Sequence, residues 1–247
     1  MSVQPLTFCL LVPTLNEIDG LRAVMPKVDR TLFKEIIIVD GGSTDGTVEY
    51  CRDQGYTVLQ QPKKCLFDAE EHGVRNMTAD AMILFTPDGN SLPEVLPALC
   101  LKLCEGYDIV VASRYIGGAT SADDDFMTAL GNRMFTAIVN LLFCANWTDS
   151  LVGLRAYTRE SLKRMGLLEM SQESWLRRNY LMINSWELAA SIRAARLKLN
   201  VLEIPGDEPK RIGGVRKLSI IRNGLGALAQ IIYDFIFYHP RQLKQTR

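Results

Sequence analysis

The chain predicts an α/β protein: a mostly parallel sheet flanked by helices, with a C-terminal helical extension. Three observations carry this. Short apolar runs alternate with helix-like stretches through the first 113 residues, the rhythm of strand–helix–strand crossovers that return each strand parallel to the last. The runs are continuous and β-branched rather than alternating, as in "EIIIVD" (35–40), which suits strands covered on both faces. A length of 247 residues is enough for one large domain, or one domain with an appendage, to bury a full core.

Taken in order, the strand runs are "LTFCLLV" (6–12), "EIIIVD" (35–40), "YTVLQ" (56–60), "AMILFT" (81–86) and "YDIVVAS" (107–113). Helical patterns fill the gaps near 18–29, 45–54, 67–77 and 93–105; Ser43 or Asp45 can cap the second of them. After residue 113 the rhythm changes. A Gly/Asp-rich loop (116–125) precedes an apolar helix at 126–143, with Asp123, Asp124 and Asp125 reading as a solvated charge run that caps it. Then come "TDSLVGLRAY", two or three helices to residue 196, and a strand in "KLNVLEIP". A polar segment (205–216) leads to a last helix over 218–238. The expected division is 1–217 for the sheet domain and 218–247 for an amphipathic helix and tail.

Charge is balanced at 28 basic against 28 acidic residues, but unevenly distributed. From Arg193 onward there are 11 Lys/Arg against 4 Asp/Glu, so the C-terminal quarter is basic and the remainder acidic. A basic tail suits an anionic membrane surface, a phosphate-bearing ligand, or an ordinary solvated helix face. Six cysteines without a CxxC pair read as reduced, buried thiols of a cytoplasmic protein. The opening "MSVQPLTFCLLVPTLNE" has no basic n-region and reads as a strand rather than a signal peptide. The uncharged runs 134–148 and 223–233 fall short of the ~18–20 residues a membrane span needs.

Ligands of such sheets bind beyond the carboxyl ends of the strands. There the first strand brings Pro13, Asn16 and Glu17, the second Asp40 followed by Gly41, Gly42 and Ser43, and the fourth Asp88. "VDGGSTDGT" alone also reads as a tight strand–turn–helix junction, and Pro-Asp-Gly-Asn (87–90) as a type I turn. Acids at three neighbouring strand ends suggest more. One carboxylate suits the ring N–H of uracil or guanine, and another a divalent cation on a diphosphate.

"VPTLNE", "IIIVDGGSTDGT", "TPDGN", "VASRY" and "TDSLVGLRAY" follow one another in order along residues 8–217. The chain thereby resembles the family-2 inverting glycosyltransferases of the GT-A (Rossmann-like) fold, and within them the dolichyl- or polyprenyl-phosphate mannose and glucose synthases. The resemblance implies a UDP- or GDP-hexose donor, Mg2+ or Mn2+, and a polyprenyl (dolichyl or undecaprenyl) phosphate acceptor. It implies an enzyme peripheral to the inner, cytoplasmic face of a membrane, serving cell-envelope glycan synthesis. A homo-oligomer is compatible with it, and nucleic acid has no part in it. Pro13, Leu15 and Glu17 then fall where the nucleoside binds, with Asp40, Gly42 and Ser43. Asp88 and Asn90 fall in the metal motif. Arg114 and Arg133 fall where such synthases hold the lipid phosphate. "EPKRIGGVRKL" resembles their mobile loop, giving Arg211, Gly214 and Lys217 as its members.

Departures from that pattern include Leu15 for tyrosine, Gly41 and Asn90 for aspartates, and Arg216 for serine. An Asn90 amide oxygen is still a hard-cation ligand, but carries no charge; the donor's phosphates can supply the missing oxygens. Two rival readings stand. One is a family-2 transferase acting on a sugar hydroxyl of a surface polysaccharide or lipid-linked glycan, with Asp149 or Glu187 as its base. The other is a nucleotide-sugar-binding protein without turnover. The final helix has an apolar stripe wider than docking on one core needs, flanked by Arg216, Lys217, Arg222 and Arg241, and so suits a bilayer surface; packing on the sheet domain or in a dimer needs the same width.

Overall fold

The computed structural model describes residues 6–62, 65–168, 185–213 and 220–238, the last stretch without the side chains of 220–222. Lys217, Gly214, Arg216 and Arg241 lie outside the described residues. The strands are β1 (Phe8–Thr14), β2 (Glu35–Asp40), β3 (Thr57–Gln60), β4 (Ala81–Leu84), β5 (Ile109–Ser113), β6 (Arg155–Thr158) and β7 (Val201–Pro205). The helices are α1 (Ile18–Val24), α2 (Thr47–Asp53), α3 (Leu66–Asn76), α4 (Leu96–Cys104), α5 (Phe126–Phe143), α6 (Arg159–Arg164), α7 (Trp186–Leu197) and α8 (Ile220–Phe237).

The strands form one sheet in the order β3-β2-β1-β4-β6-β5-β7. All pairings are parallel except those of β6, which runs antiparallel between β4 and β5. Successive residues of β1 feed opposite cores. Cys9 and Leu11 join Phe67 of α3, Val139 of α5 and Ile192 of α7, while Leu10 and Val12 join Leu21 of α1 and Leu99 of α4. Both faces are therefore covered, which is why the strand runs read as continuously apolar.

β6 is the strand that periodicity did not reveal. It has four residues and opens on a charged one, Arg155, fully buried through bonds to Val152 O (2.6 Å), Glu187 O (3.1 Å) and Ser191 Oγ (2.8 Å). A buried arginine satisfied by carbonyls looks like loop in a sequence. The cap assignment also changes: Gly46 is the N-cap of α2, Asp45 accepts from the Thr47 and Ile18 N–H groups, and Ser43 turns back to Asp40. All six cysteines are free, but Cys104 and Cys144 are exposed rather than buried.

The crevice opens where the strand order reverses, between β1 and β4. β1 pairs with β4 only through Leu11, whereas its register with β2 continues to Thr14. Pro13, which cannot donate to a ladder, therefore lies past the β4 pairing, where a central strand tolerates it.

Two helices are turned outward. The exposed residues of α5 include Phe126, Met127, Leu130, Met134, Leu141 and Leu142, and those of α8 Leu225, Leu228, Ile232, Phe235, Ile236 and Phe237. The inner face of α8 buries Ile231 together with Gln230 and Asp234. Asp234 meets the buried Arg193 of α7 at 3.5 Å, and Arg196 donates to the carbonyls of Phe235 (2.8 Å) and Tyr238 at the end of the helix. α8 is thus docked on the body through these polar groups as well as through Ile231 and Ala227, which join the core. Among the described residues α5 is long and apolar enough to cross a membrane; its bounds are those expected, but counting only uncharged runs broke it at Arg133 and hid that length.

Candidate functional site

Asp40 organises the first cluster. It is almost wholly buried, and its Oδ2 accepts the N–H groups of Gly42 (2.8 Å) and Ser43 (3.0 Å). Its Oδ1 accepts the hydroxyls of Ser43 (2.5 Å) and Thr14 (3.4 Å). Four donors fill the four acceptor positions of a carboxylate. In this state Asp40 shapes the loop rather than presenting an open oxygen. Asn16 and Ser43 lace the β1 and β2 loops together: the Ser43 hydroxyl accepts the Asn16 N–H (2.8 Å), and Asn16 Oδ1 accepts the Thr44 N–H (2.8 Å). The Glu17 N–H donates to Thr47 Oγ1 at 3.1 Å, and Leu15 is exposed beside Gly41.

The second cluster lines a cavity of about 590 Å3 that includes Asp88, Asn90, Arg114 and Arg211. Pro13, Leu15, Glu17, Asp40, Gly42, Ser43 and Arg133 are not among its lining residues. The two clusters meet through α1, because a Cβ on Gly20 would lie 2.3 Å from the Pro87 carbonyl oxygen. Only a glycine lets α1 approach the Asp88 loop this closely.

Asp88 is 6% exposed. Its Oδ1 accepts the Asn90 N–H (3.1 Å) and its Oδ2 pairs with Arg211 Nη1 (2.8 Å). The Ile212 N–H donates to the Asp88 carbonyl at 2.6 Å. Asn90 Nδ2 donates to Asp123 Oδ2 (3.0 Å), which leaves Asn90 Oδ1 buried without a hydrogen-bond partner among the described residues.

Arg114, at the end of β5, is held by Asp149 through Nε–Oδ2 (2.7 Å) and Nη2–Oδ1 (3.0 Å), and by Glu208 at 3.2 Å. Burial lowers the guanidinium pKa, but the Asp149 hydrogen bonds and charge, with Glu208, carry it above its ordinary value. Asp149, fully buried, also accepts the Leu151 (3.3 Å) and Val152 (3.1 Å) N–H groups. Its own N–H and that of Thr148 go to Glu203 of β7. Tyr115 donates to Asp124 Oδ2 at 2.6 Å; burial, opposed by Arg114, pushes its phenol up to about 12. Arg133 lies exposed on α5 with its guanidinium 5.5 Å from the Tyr115 ring centre.

Sequence reasoning missed Asp123, Asp124 and Glu208. The first two were read as a solvated run, yet Asp123 orients Asn90 and Asp124 holds Tyr115, while Asp125 is the helix cap as expected. Ser121 Oγ donates to Glu208 (2.5 Å) and Ala122 N–H to its carbonyl (2.8 Å), clipping the 117–125 loop to the end of β7. Three consecutive aspartates were the available signal, but which of them turned inward depended on that clip. Trp186 is core, as expected of it, and Glu187 faces the cavity with its Oε2 accepting from Ser185 Oγ (3.1 Å).

Six carboxylates (Asp88, Asp123, Asp124, Glu187, Asp207, Glu208) line the cavity against two guanidiniums. Such a lining accepts a diphosphate only with cations. Asp88 with the unpartnered Asn90 oxygen fits a hard divalent cation whose remaining ligands come from phosphate oxygens. Among the described residues no cluster of three or more His, Cys, Asp or Glu forms an all-protein site.

The glycosyl transferase family 2 model matches residues 9–166. Glycosyltransferase AglJ of Haloferax volcanii is 33% identical over 169 residues, 66% of this chain but only 54% of that protein. A dolichyl-phosphate hexose transferase of the same organism is 29% identical over 208 residues, 83% of each. Polyprenol monophosphomannose synthase of Mycolicibacterium smegmatis is 23% identical over 222 residues, 85% of this chain and 80% of its own. In structure, the chain is similar to glucosyl-3-phosphoglycerate synthase from Mycobacterium tuberculosis in complex with Mn2+ and UDP-glucose: TM-score 0.62, 19% identity, covering 92% of this chain and 78% of that one. At that identity the likeness speaks for the fold, which is that of the GT-A glycosyltransferases.

Proposed function

The chain belongs to glycosyl transferase family 2, and we propose that it moves a hexose, with inversion, from a nucleotide-diphosphate sugar to a polyprenyl phosphate at the inner face of a membrane. The acceptor class is that named for the dolichyl-phosphate and polyprenol relatives. One observation carries the reading further. The cavity that holds Asp88, Asn90 and Arg211 also reaches Met127 and Phe135 of α5 and Gly224 and Ala227 of α8, the two helices whose outer faces are apolar. Donor chemistry at one end and a lipid-compatible surface at the other suit a lipid-borne acceptor.

The nucleoside is assigned to the loop that Asp40 holds, beside Pro13, Leu15, Glu17, Gly42 and Ser43. The diphosphate is assigned to Asp88, Asn90 and Arg211, with Lys217 added from its sequence position alone. Mg2+ or Mn2+ bound there would neutralise the departing diphosphate. Arg211 adds hydrogen bonds to the same leaving group. The acceptor phosphate is anionic at neutral pH, so its oxygen attacks the anomeric carbon opposite the leaving group without a base. Arg133 is the sole charged residue of α5 and suits the acceptor phosphate at the rim; Arg114 braces the cavity wall through Asp149.

A hydroxyl acceptor would need a base. Asp149 is poorly suited, because five donors, including the Arg114 N–H at 3.4 Å, already occupy its oxygens. Glu187, facing the cavity, keeps that second reading open. The full chain, given a panel of UDP- and GDP-sugars, Mn2+ and polyprenyl phosphate, should yield a lipid extract heavier than the acceptor by one hexose residue. Donor turnover that never labels the lipid contradicts the proposal.

A further inference from the structure

We propose that Arg211 is the resident counter-cation of Asp88, and that a divalent cation reaches Asp88 only by displacing it, together with the donor's diphosphate. The inference rests on the donor and cation assigned above, but concerns a property of this chain: the order in which they bind. Both Asp88 oxygens are engaged, one by the Asn90 N–H and one by Arg211 at 2.8 Å. Asn90 adds no charge to the motif, so one carboxylate and one guanidinium cancel. At Asp88 itself a lone divalent cation would meet a carboxylate whose charge Arg211 already neutralises, although the wider lining is acidic.

Arg211 is also held by the backbone around it. The Ile212 N–H bonds the Asp88 carbonyl, and Ile212 covers Gly89 so closely that a Cβ there would lie 2.7 Å from its Cγ1. Gly89 has φ +90°, a conformation that already favours glycine. Gly213 packs on Asp19, where an added Cβ would sit 3.2 Å from that side chain. Residues 211–213 are therefore strapped across the metal motif and α1.

Two buried atoms beside this contact lack partners among the described residues: the acceptor Asn90 Oδ1 and the donor Arg211 Nε. They are complementary in kind and belong to residues lining the same cavity. A cation alone would answer only the acceptor, and a diphosphate alone only the donor. A cation–diphosphate pair answers both, and gives the guanidinium an anion to follow when it leaves Asp88. Free-metal affinity is thus suppressed until the nucleotide arrives.

The test is Mn2+ binding by electron paramagnetic resonance on the full chain, with and without UDP or GDP. The wild type should bind Mn2+ at least about tenfold more tightly with its nucleotide than without. Arg211→Gln should gain about tenfold or more in nucleotide-free Mn2+ affinity, and Arg211→Lys, which keeps the charge, should remain weak; melting curves check that both are folded. If nucleotide-free Mn2+ binds wild type and R211Q equally while nucleotide still enhances binding, the exchange is overturned and the metal assignment survives. If no protein, including Asn90→Asp, binds Mn2+ even with nucleotide, the assignment itself fails and takes the exchange with it.

Discussion

Glu70 is fully buried on α3, and its Oε1 has no hydrogen-bond partner among the described residues. Burial raises its pKa well above the carboxylate range, reinforced by Glu187 and Cys65 and opposed by Arg155. The folded state then holds a proton that the unfolded chain releases near pH 4–4.5. Stability from this group is complete below that pH and is lost as pH rises toward the folded pKa. Glu70→Gln should accordingly raise the melting temperature more at pH 7 than at pH 4.5, as measured by calorimetry; an equal gain at both would mean that the carboxyl is ionised in the fold. Gly20→Ala is the complementary prediction at this scale. Its methyl meets the Pro87 carbonyl, a rigid neighbour, so Mn2+·nucleotide binding should fall at least about tenfold while far-ultraviolet circular dichroism is retained. Both residues were invisible to pattern reading. A buried glutamate inside "FDAEEHG" looks like helix surface, and a glycine in α1 looks like a weak helix position, because what matters in each case is the neighbour brought by another element. Asp88 was legible because strand-end acids need only one element to place them.

At the scale of elements, the runs feeding β1, β2, β4 and β5 were readable because each is buried on both faces, whereas β6 hides behind the Arg155 anchor. The surfaces of α5 and α8 were only half legible. Apolar periodicity reports a stripe, but not whether the stripe faces core or solvent, and here the buried side of α8 carries Gln230 and Asp234 beside Ile231. If the outer stripes meet a bilayer, replacing Leu130, Met134 and Leu141 of α5 with serine should abolish co-sedimentation with anionic liposomes without lowering the melting temperature. Unchanged sedimentation would remove the membrane from the account. Asp234→Ala should behave oppositely. It removes a carboxylate that faces the buried Arg193, whose guanidinium also donates to the Met165 carbonyl, at a cost of about 3–5 kcal/mol, read as a lower urea midpoint. The docking of α8 also means that cutting the chain at 217 exposes the buried Arg193.

The molecule as a whole joins an acid-lined cavity at the carboxyl edge of its sheet to a two-helix apolar face. In that setting Asp149 is committed to Arg114 rather than available as a base, which favours the proposed acceptor, one that brings its own negative nucleophile. The order of the motifs along the chain made the family readable before any geometry; the cavity's charge was not, because its carboxylates come from four separate segments of sequence. The most direct measurement offers the full chain three acceptors side by side, with its preferred nucleotide sugar and Mn2+: polyprenyl phosphate, the corresponding unphosphorylated polyprenol, and a lipid-linked glycan with free hydroxyls. The account predicts one hexose added to the polyprenyl phosphate alone, as an acid-labile glycosyl phosphodiester identified by mass. Hexose on the polyprenol or on the glycan hydroxyls, with the polyprenyl phosphate untouched, would contradict it.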